Sequence, residues 1–293
     1  MTTGARALAA AALERGLWHP LRLLPTARVS AAGAWLGRRL GPVLHPELDA
    51  RARANLARLR PDLDPAAALA EVWGNIGATY AEMARGLRLW DEGRVEVRGA
   101  AHVLETRRER PVLVAGLHTA NPEVLGLTLA RIGARPAGIA MRQPTAFRER
   151  VITALRRRAG GRVIPARRDA ARAALGVLAA GEETLLLYVD ESVGGEVRAP
   201  SLGRGERRAG NIVLAVRLAR LSGCAIVPGF VTRLPGPRFV TTFLPPLALP
   251  PPGRERAADI AAGVAALDAA LDPVVRARLT QWLYTISLRP EEG

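Results

Sequence analysis

Along the chain, short apolar runs recur at 94–98, 111–116, 136–141, 161–165, 184–189 and 224–231. Stretches of helical periodicity fill the intervals at 122–133, 146–158, 168–180 and 210–222. Runs of that length, rich in β-branched residues, suit buried strands. Strands alternating with helices build a mostly parallel central sheet with helices on both faces, so the expected fold class is α/β. A last strand is expected at 238–244, after the turn Pro235–Gly236–Pro237. Pro245 to Pro252 then reads as a stiff linker into C-terminal helices at 254–271 and 273–285.

Ahead of the sheet, residues 48–90 read as helical, with Pro61 and Pro65 marking a break. Residues 5–45 hold two apolar-and-arginine segments separated by Pro20 and Pro25. Leu8, Leu13, Leu17, Trp18, Leu21, Leu23 and Leu24 alternate with Arg6, Arg15 and Arg22; Val29, Trp35, Leu36 and Leu40 stand beside Arg28, Arg38 and Arg39. Two uses fit such segments. They can lie in a lipid headgroup layer, with arginines on phosphates, or pack on the core as most amphipathic helices do. No internal repeat appears. The expected division is an N-terminal helical, membrane-associating segment at 1–90 and one continuous α/β core at 91–293.

Composition narrows the classes. Of 293 residues, 49% are hydrophobic and 24% charged, which is a globular balance. The formal charge of +15 rests on arginine, for the chain has no lysine. Coding bias alone would give that, yet the field still favours anionic partners such as a phospholipid surface, phosphorylated cofactors or an acidic carrier protein. Aromatics, at 4%, are too scarce for single-strand stacking, and no nucleic-acid partner is expected. Cys224 is the sole cysteine, so no intrachain disulfide forms, as in a reducing compartment. No secretory signal is evident, because Glu14 and Arg15 interrupt the early alanine run. No window reaches the roughly 18 apolar residues of a spanning helix, so a soluble or peripheral protein is expected.

The most informative stretch runs from Val112 to Glu123. It starts as a buried strand and ends as the opening of a helix: Asn121 suits the N-cap, Pro122 the first helical position and Glu123 the first turn. His118 falls just past the strand's carboxyl end, where ligand crevices of open α/β sheets form. One turn separates His118 from Glu123, so the two are expected to touch. A carboxylate on one imidazole nitrogen fixes the tautomer and leaves the other free to take a proton. His19, His45 and His102 have no acid at the same offset.

Other residues fall at the same edge. Arg142 comes just after the strand 136–141, where a guanidinium can bind phosphate bidentately or simply be solvated. Asp190 and Glu191 end the strand 184–189, placed to orient an acceptor's hydroxyls, to support the His118 region or to cap the adjoining loop. Residues 190–210 form a Gly- and Arg-rich loop carrying Arg198, Arg204, Arg207 and Arg208, either a holder of anionic headgroups or a mobile surface loop. Arg156–Arg157–Arg158 reads as a solvated helix end. No Gly-x-Ser-x-Gly elbow, phosphate loop, dinucleotide glycine pattern or Cys/His metal cluster is present.

These blocks together resemble the bacterial late acyltransferases of lipid A and the related phosphatidylinositol-mannoside acyltransferases, within the lysophospholipid acyltransferase superfamily. The resemblance runs from about residue 25 to the end. It is carried by His118 and Glu123, which match the family's His, four residues, then acid. Arg53–Ala54–Asn55–Leu56 before Pro61, Met141–Arg142–Gln143–Pro144, Gly160 to Pro165 with Arg167 and Arg168, Tyr188 to Glu191, and Ala225 to Pro228 match further blocks. The close, Gln281 to Pro290, keeps glutamine, aromatics and Arg-Pro but lacks the family's doubled arginine, and Val189 stands where proline is common. The resemblance implies an O-acyltransferase with His118 as general base and Glu123 as its partner. Arg142, Arg167, Asp190, Glu191 and Arg204 are the candidate substrate-binding residues. The acyl group would come from acyl-CoA or acyl carrier protein as co-substrate, with no cofactor or metal. It would pass to a hydroxyl of a membrane lipid or glycolipid, such as a lipid A precursor, at the cytoplasmic face of the inner membrane. Donors near His118 are expected to stabilise the oxyanion, and an apolar tunnel is expected beside it. Two other readings of the residues stand open: a thioesterase using the same dyad, and a non-catalytic arginine-rich protein that binds membrane or nucleic acid.

Overall fold

A computed structural model describes residues 16, 18, 20–143, 145–193, 196–206, 208–251, 253 and 255–289. Arg6, Leu8, Leu13, Glu14, Arg15, Leu17, His19, Pro144, Arg207, Pro252 and Pro290 lie outside the described residues. Helices come first: α1 (Thr26–Leu44), α2 (Pro46–Leu59), α3 (Pro65–Glu82) and the short α4 (Arg88–Asp91). Strands and helices then alternate through β1 (Val95–Arg98), α5 (Ala100–Leu104), α6 (Thr106–Glu109), β2 (Val112–Gly116), α7 (Pro122–Arg131), β3 (Pro136–Ala140), α8 (Ala146–Arg158), β4 (Arg162–Pro165), α9 (Ala170–Ala180) and β5 (Thr184–Tyr188). A two-stranded ribbon, β6 (Ser192–Val193) with β7 (Glu196–Val197), leads to α10 (Asn211–Ser222), β8 (Ala225–Leu234), β9 (Arg238–Phe243) and α11 (Arg256–Ala277).

The seven-stranded sheet has the order β1-β9-β8-β2-β5-β3-β4. The β8–β9 pair is antiparallel and the other pairs are parallel. β8, β2, β5, β3 and β4 therefore all present their carboxyl ends on one side. β2 is buried along its whole length, as a strand covered on both faces must be. One core joins Leu113 and Ala115 of β2 and Leu185 and Leu187 of β5 to α10 and α11, and also to Leu56, Leu69, Val72 and Trp73 of α2 and α3. The other face is filled by Val112, Val114, Leu125, Leu129, Val227, Phe239 and Phe243.

The seven strands fall where the apolar runs lie. The C-terminal helices differ from expectation: α11 continues unbroken through Pro273 to Ala277, and a 3-10 turn at Leu283–Ile286 replaces a second helix. A proline inside a helix costs about 3 kcal/mol. Leu271, Val274 and Val275, buried on either side of it, outweigh that loss. The 3-10 turn and the residues after it are anchored to α2, where Asn55 Nδ2 donates to the Thr285 and Leu288 carbonyls at 2.9 and 2.8 Å.

Helix α1 packs on α3 through glycines. A Cβ at Gly37 would overlap the Trp73 carbonyl, and one at Gly77 the Gly33 carbonyl, so only glycine allows this approach. The same helix leaves Trp35, Leu36, Leu40, Val43 and Leu44 exposed. Among the described residues no helix is long and apolar enough to cross a membrane.

Candidate active site

Parallel pairing of β2 with β5 sets Gly116 opposite Tyr188, so the residues two steps beyond each strand end are neighbours. They are His118 and Asp190. Asp190 Oδ1 lies 2.7 Å from His118 Nδ1, and Oδ2 accepts from the His118 backbone N–H at 2.7 Å. Trp282 Nε1 donates to that same Oδ2 at 2.7 Å. Three donors thus surround a carboxylate that is 0% exposed, which is the condition for burying such a charge without a large penalty. The imidazole is 22% exposed and sits between two rings, Tyr188 at 4.3 Å and Tyr284 at 5.0 Å between centroids. With Asp190 drawing the proton to Nδ1, Nε2 carries the lone pair. No described residue hydrogen-bonds Nε2.

The expected partner of His118 was Glu123, and this is corrected. Glu123 is gripped in a fork by Arg156 of α8, Nε to Oε2 at 3.0 Å and Nη2 to Oε1 at 2.7 Å. Burial works against the Arg156 charge, and the Glu123 carboxylate more than restores it, so the guanidinium pKa is raised. Arg156 is accordingly a structural partner and not merely a solvated helix end. The physical reason lies in the helix start. Asn121 caps α7 by accepting the Glu123 N–H at 3.2 Å, which places Glu123 in the first turn facing α8. Tyr188 then closes the gap between floor and helix, donating from its hydroxyl to the Pro122 carbonyl at 2.5 Å. Burial, reinforced by the Glu123 charge, pushes the Tyr188 phenol well above its ordinary pKa and keeps it a donor.

The loop between His118 and α7 is held from behind. Ala120 has φ 51, a left-handed conformation costly for a residue with a Cβ. Its N–H donates to the Gln281 carbonyl at 2.7 Å and its carbonyl accepts from Thr79 Oγ1 at 2.8 Å. Leu283 N–H reaches the His118 carbonyl at 2.9 Å. Glu82, 0% exposed, forms a forked ion pair with Arg233 and accepts from Asn121 Nδ2 at 3.0 Å and Ser30 Oγ at 2.7 Å. Removing one partner of so buried a pair typically costs 3–5 kcal/mol. α1, α3, β8 and the C-terminal segment all converge on this loop.

The remaining candidates separate by strand. Asp190 is too buried and too fully bonded to meet an acceptor, so its expected substrate contact gives way to support of His118. Glu191 Oε1 accepts the Asn211 N–H of α10 at 2.6 Å, while Oε2 is buried without a partner. Burial pushes its pKa up to about 7. Arg142 and Arg167 are exposed two residues past β3 and β4. Those strands stand two and three places from β2, so at about 4.8 Å per strand they rise roughly 10 and 14 Å from it. Neither guanidinium has a partner among the described residues. Arg204 is corrected: it donates to the carbonyls of Ser201, Val197 and Pro200 at 2.9, 2.7 and 2.8 Å, so it clamps its own loop instead of presenting free donors. That loop is also tied to α11, Ser201 to Asp268 and the Leu202 N–H to Asp272.

A groove of about 1420 Å³ lies between residues 201–208, α10 and α11, and a slot of about 510 Å³ lies beside α8. His118 lines neither, so the tunnel expected beside it is not among them. Among the described residues no group of three or more His, Cys, Asp or Glu could hold a metal. Trp282, Tyr284 and Tyr188 are the site residues that motif reading assigned no role. Their signal was the aromatic run before the final Arg-Pro and the tyrosine opening the Tyr-Val-Asp-Glu block. A profile described as bacterial lipid A biosynthesis acyltransferase matches residues 6–287. No curated protein matches the chain.

Proposed function

We infer the reaction from one premise: the chain belongs to the bacterial lipid A biosynthesis acyltransferase family. The family's chemistry is acyl transfer, and the observation that suits this chain to it is His118, with Nδ1 bonded to buried Asp190 and Nε2 unbonded. In the proposed reaction Nε2 takes the proton of an acceptor hydroxyl as the oxygen attacks the carbonyl of an acyl thioester. The tetrahedral adduct collapses, the carbon–sulfur bond breaks, and the thiolate leaves with the proton returned by the imidazolium. Ester and free thiol result, and Asp190 stabilises the imidazolium between the two proton transfers. No protein nucleophile is needed.

The acceptor in this reading is a hydroxyl of a membrane lipid or glycolipid, such as a lipid A precursor. The donor is acyl-CoA or acyl carrier protein, whose phosphates or acidic helix suit a chain of charge +15. Arg142 and Arg167 stand where an extended, phosphorylated acceptor would pass across the strand ends. Exposed Leu23, Trp35 and Val43, at 86, 56 and 75%, support work at the cytoplasmic membrane surface, because apolar side chains so placed cost free energy in water. Lipid mass spectrometry of cells with and without the gene tests this. One lipid is expected to lose the mass of one acyl chain, and the wild-type gene is expected to restore it where a His118→Ala gene does not. An unchanged lipid profile, or thiol release from the donor that ignores added acceptor lipid, would sink the proposal.

A further inference from the structure

The slot beside α8 shares no residue with the His118 site. Its floor is apolar: Met83, Leu87, Phe147, Val151 and Leu155. One end is closed by Trp18, edge-on to Phe147 at 5.8 Å, and by Arg85, whose Nη1 donates to the Arg22 carbonyl at 2.6 Å. Its depth is set at Gly86, where any Cβ would overlap the Leu155 side chain. A volume of about 510 Å³ falls in the ordinary range of ligand sites, roughly 300–1,000 Å³.

The rim is cationic. Arg22, Arg88, Arg150 and Arg158 line it, all exposed and none with a side-chain partner among the described residues. Asp91, the single acid among the described residues of the lining, is already paired with Arg131 at 3.4 Å. Among the described residues the lining contains no Ser, Thr, Asn or Gln. That combination selects among anions. Reading a sugar or a nucleotide base is the work of side-chain hydroxyls and amides, and among the described residues Trp18 Nε1 is the one neutral nitrogen or oxygen that the side chains of the lining offer. A free phosphate would leave the apolar floor in water. A lipid with a phosphate head and an acyl chain satisfies both surfaces at once. Leu23 and Leu24, next in sequence to Arg22, are 86 and 41% exposed, so the rim continues into apolar side chains that face outward.

We propose that this slot is an accessory binding site for an anionic phospholipid, with the phosphate among Arg22, Arg88, Arg150 and Arg158 and an acyl chain on the floor. It rests on the reading that the chain works at a membrane, and it is distinct from the place where an acceptor would react. A glycolipid acceptor is the poorer fit, because the described lining offers sugar hydroxyls no side-chain hydroxyl or amide and only one acid, already paired.

The test uses the full chain, phosphatidylglycerol as probe, native mass spectrometry and vesicle flotation. The wild type is expected to hold one phosphatidylglycerol in native spectra and to float with vesicles containing it. The triple variant Arg88→Gln/Arg150→Gln/Arg158→Gln is expected to bind about a hundredfold more weakly, from roughly fivefold per arginine. Ala154→Trp, which fills the slot without touching a charge, is expected to abolish the adduct. A matched triple variant of exposed arginines on α6, α9 and α10, Arg108→Gln/Arg172→Gln/Arg217→Gln, is expected to keep it. Equal losses in the two triple variants would make the effect a diffuse field and overturn the site. Displacement of the adduct by inorganic phosphate would overturn its lipid character. Flotation without any adduct would defeat the slot and leave the membrane reading standing; the absence of both would defeat both.

Discussion

Two sides of the His118 loop carry carboxylates, and they are built for different work. On the floor, Asp190 is sealed from water and takes three short hydrogen bonds, two of them from His118 itself. On the flank, Glu123 is 18% exposed and its oxygens face the Arg156 fork. The floor therefore orients an imidazole and fixes its tautomer, whereas the flank locks α7 to α8. A carboxylate near a histidine in sequence is not thereby its partner; the strand pairing decides.

The largest effect expected from breaking this comparison is at Asp190. Asp190→Asn keeps the shape but offers the imidazole an amide, favouring the wrong tautomer and leaving the imidazolium without a counter-charge. We expect acyl transfer to fall about a thousandfold, with substrate KM little changed. Glu123→Gln in the same assay would equal that loss only if Glu123 acted on the proton. A loss confined to Glu123, with Asp190→Asn nearly as active as wild type, would reverse the roles assigned here.

A smaller effect sharpens the flank. Glu123→Gln strands the Arg156 charge, and leaving one partner of a pair unmatched costs more than deleting both. We expect about a tenfold fall in activity and a lower Tm. Removing the stranded charge in Glu123→Gln/Arg156→Gln is expected to recover much of both. If the double variant is no better than the single one, Glu123 contributes something that Arg156 does not explain.

Much of this architecture is legible in the sequence. Strands at 112–116 and 184–188 have apolar centres because both faces are covered, with only Thr184 and Tyr188 carrying hydroxyls at the ends of the second, and the Asn-Pro-Glu start of α7 announces its own cap. His118 could be placed at a strand's carboxyl end from local pattern alone. Its partner could not. Asp190 becomes a neighbour only because β5 lies beside β2, a consequence of strand order that no spacing of 72 residues encodes. Trp282 and the Glu82–Arg233 pair were hidden for the same reason, since each joins segments that meet only in the finished fold. Arg204 misled in the opposite way: a loop arginine looks free until its neighbours' carbonyls are seen to need it.

The finest contrast lies within one dipeptide. Asp190 and Glu191 end the same strand, yet Asp190 is fully bonded while Glu191 leaves Oε2 buried and unpartnered. Burial, with the neighbouring Asp190 charge adding to it, pushes the Glu191 carboxyl up to about 7 against the pull of the Asn211 N–H. The folded chain thus holds this proton more tightly than the unfolded chain does. Its contribution to stability is complete in acid, below the ordinary carboxylate range, and is lost as the pH rises through about 7. Across that window the loss is on the order of 3 kcal/mol. Glu191→Gln cannot titrate, and its amide oxygen can still cap α10. We expect urea unfolding from about pH 5 to about pH 8 to show wild-type stability declining relative to this variant, with the two curves parallel above pH 8. A constant difference over the whole range would mean that Glu191 is ionised throughout, and that the orphaned oxygen is solvated in a way its burial denies.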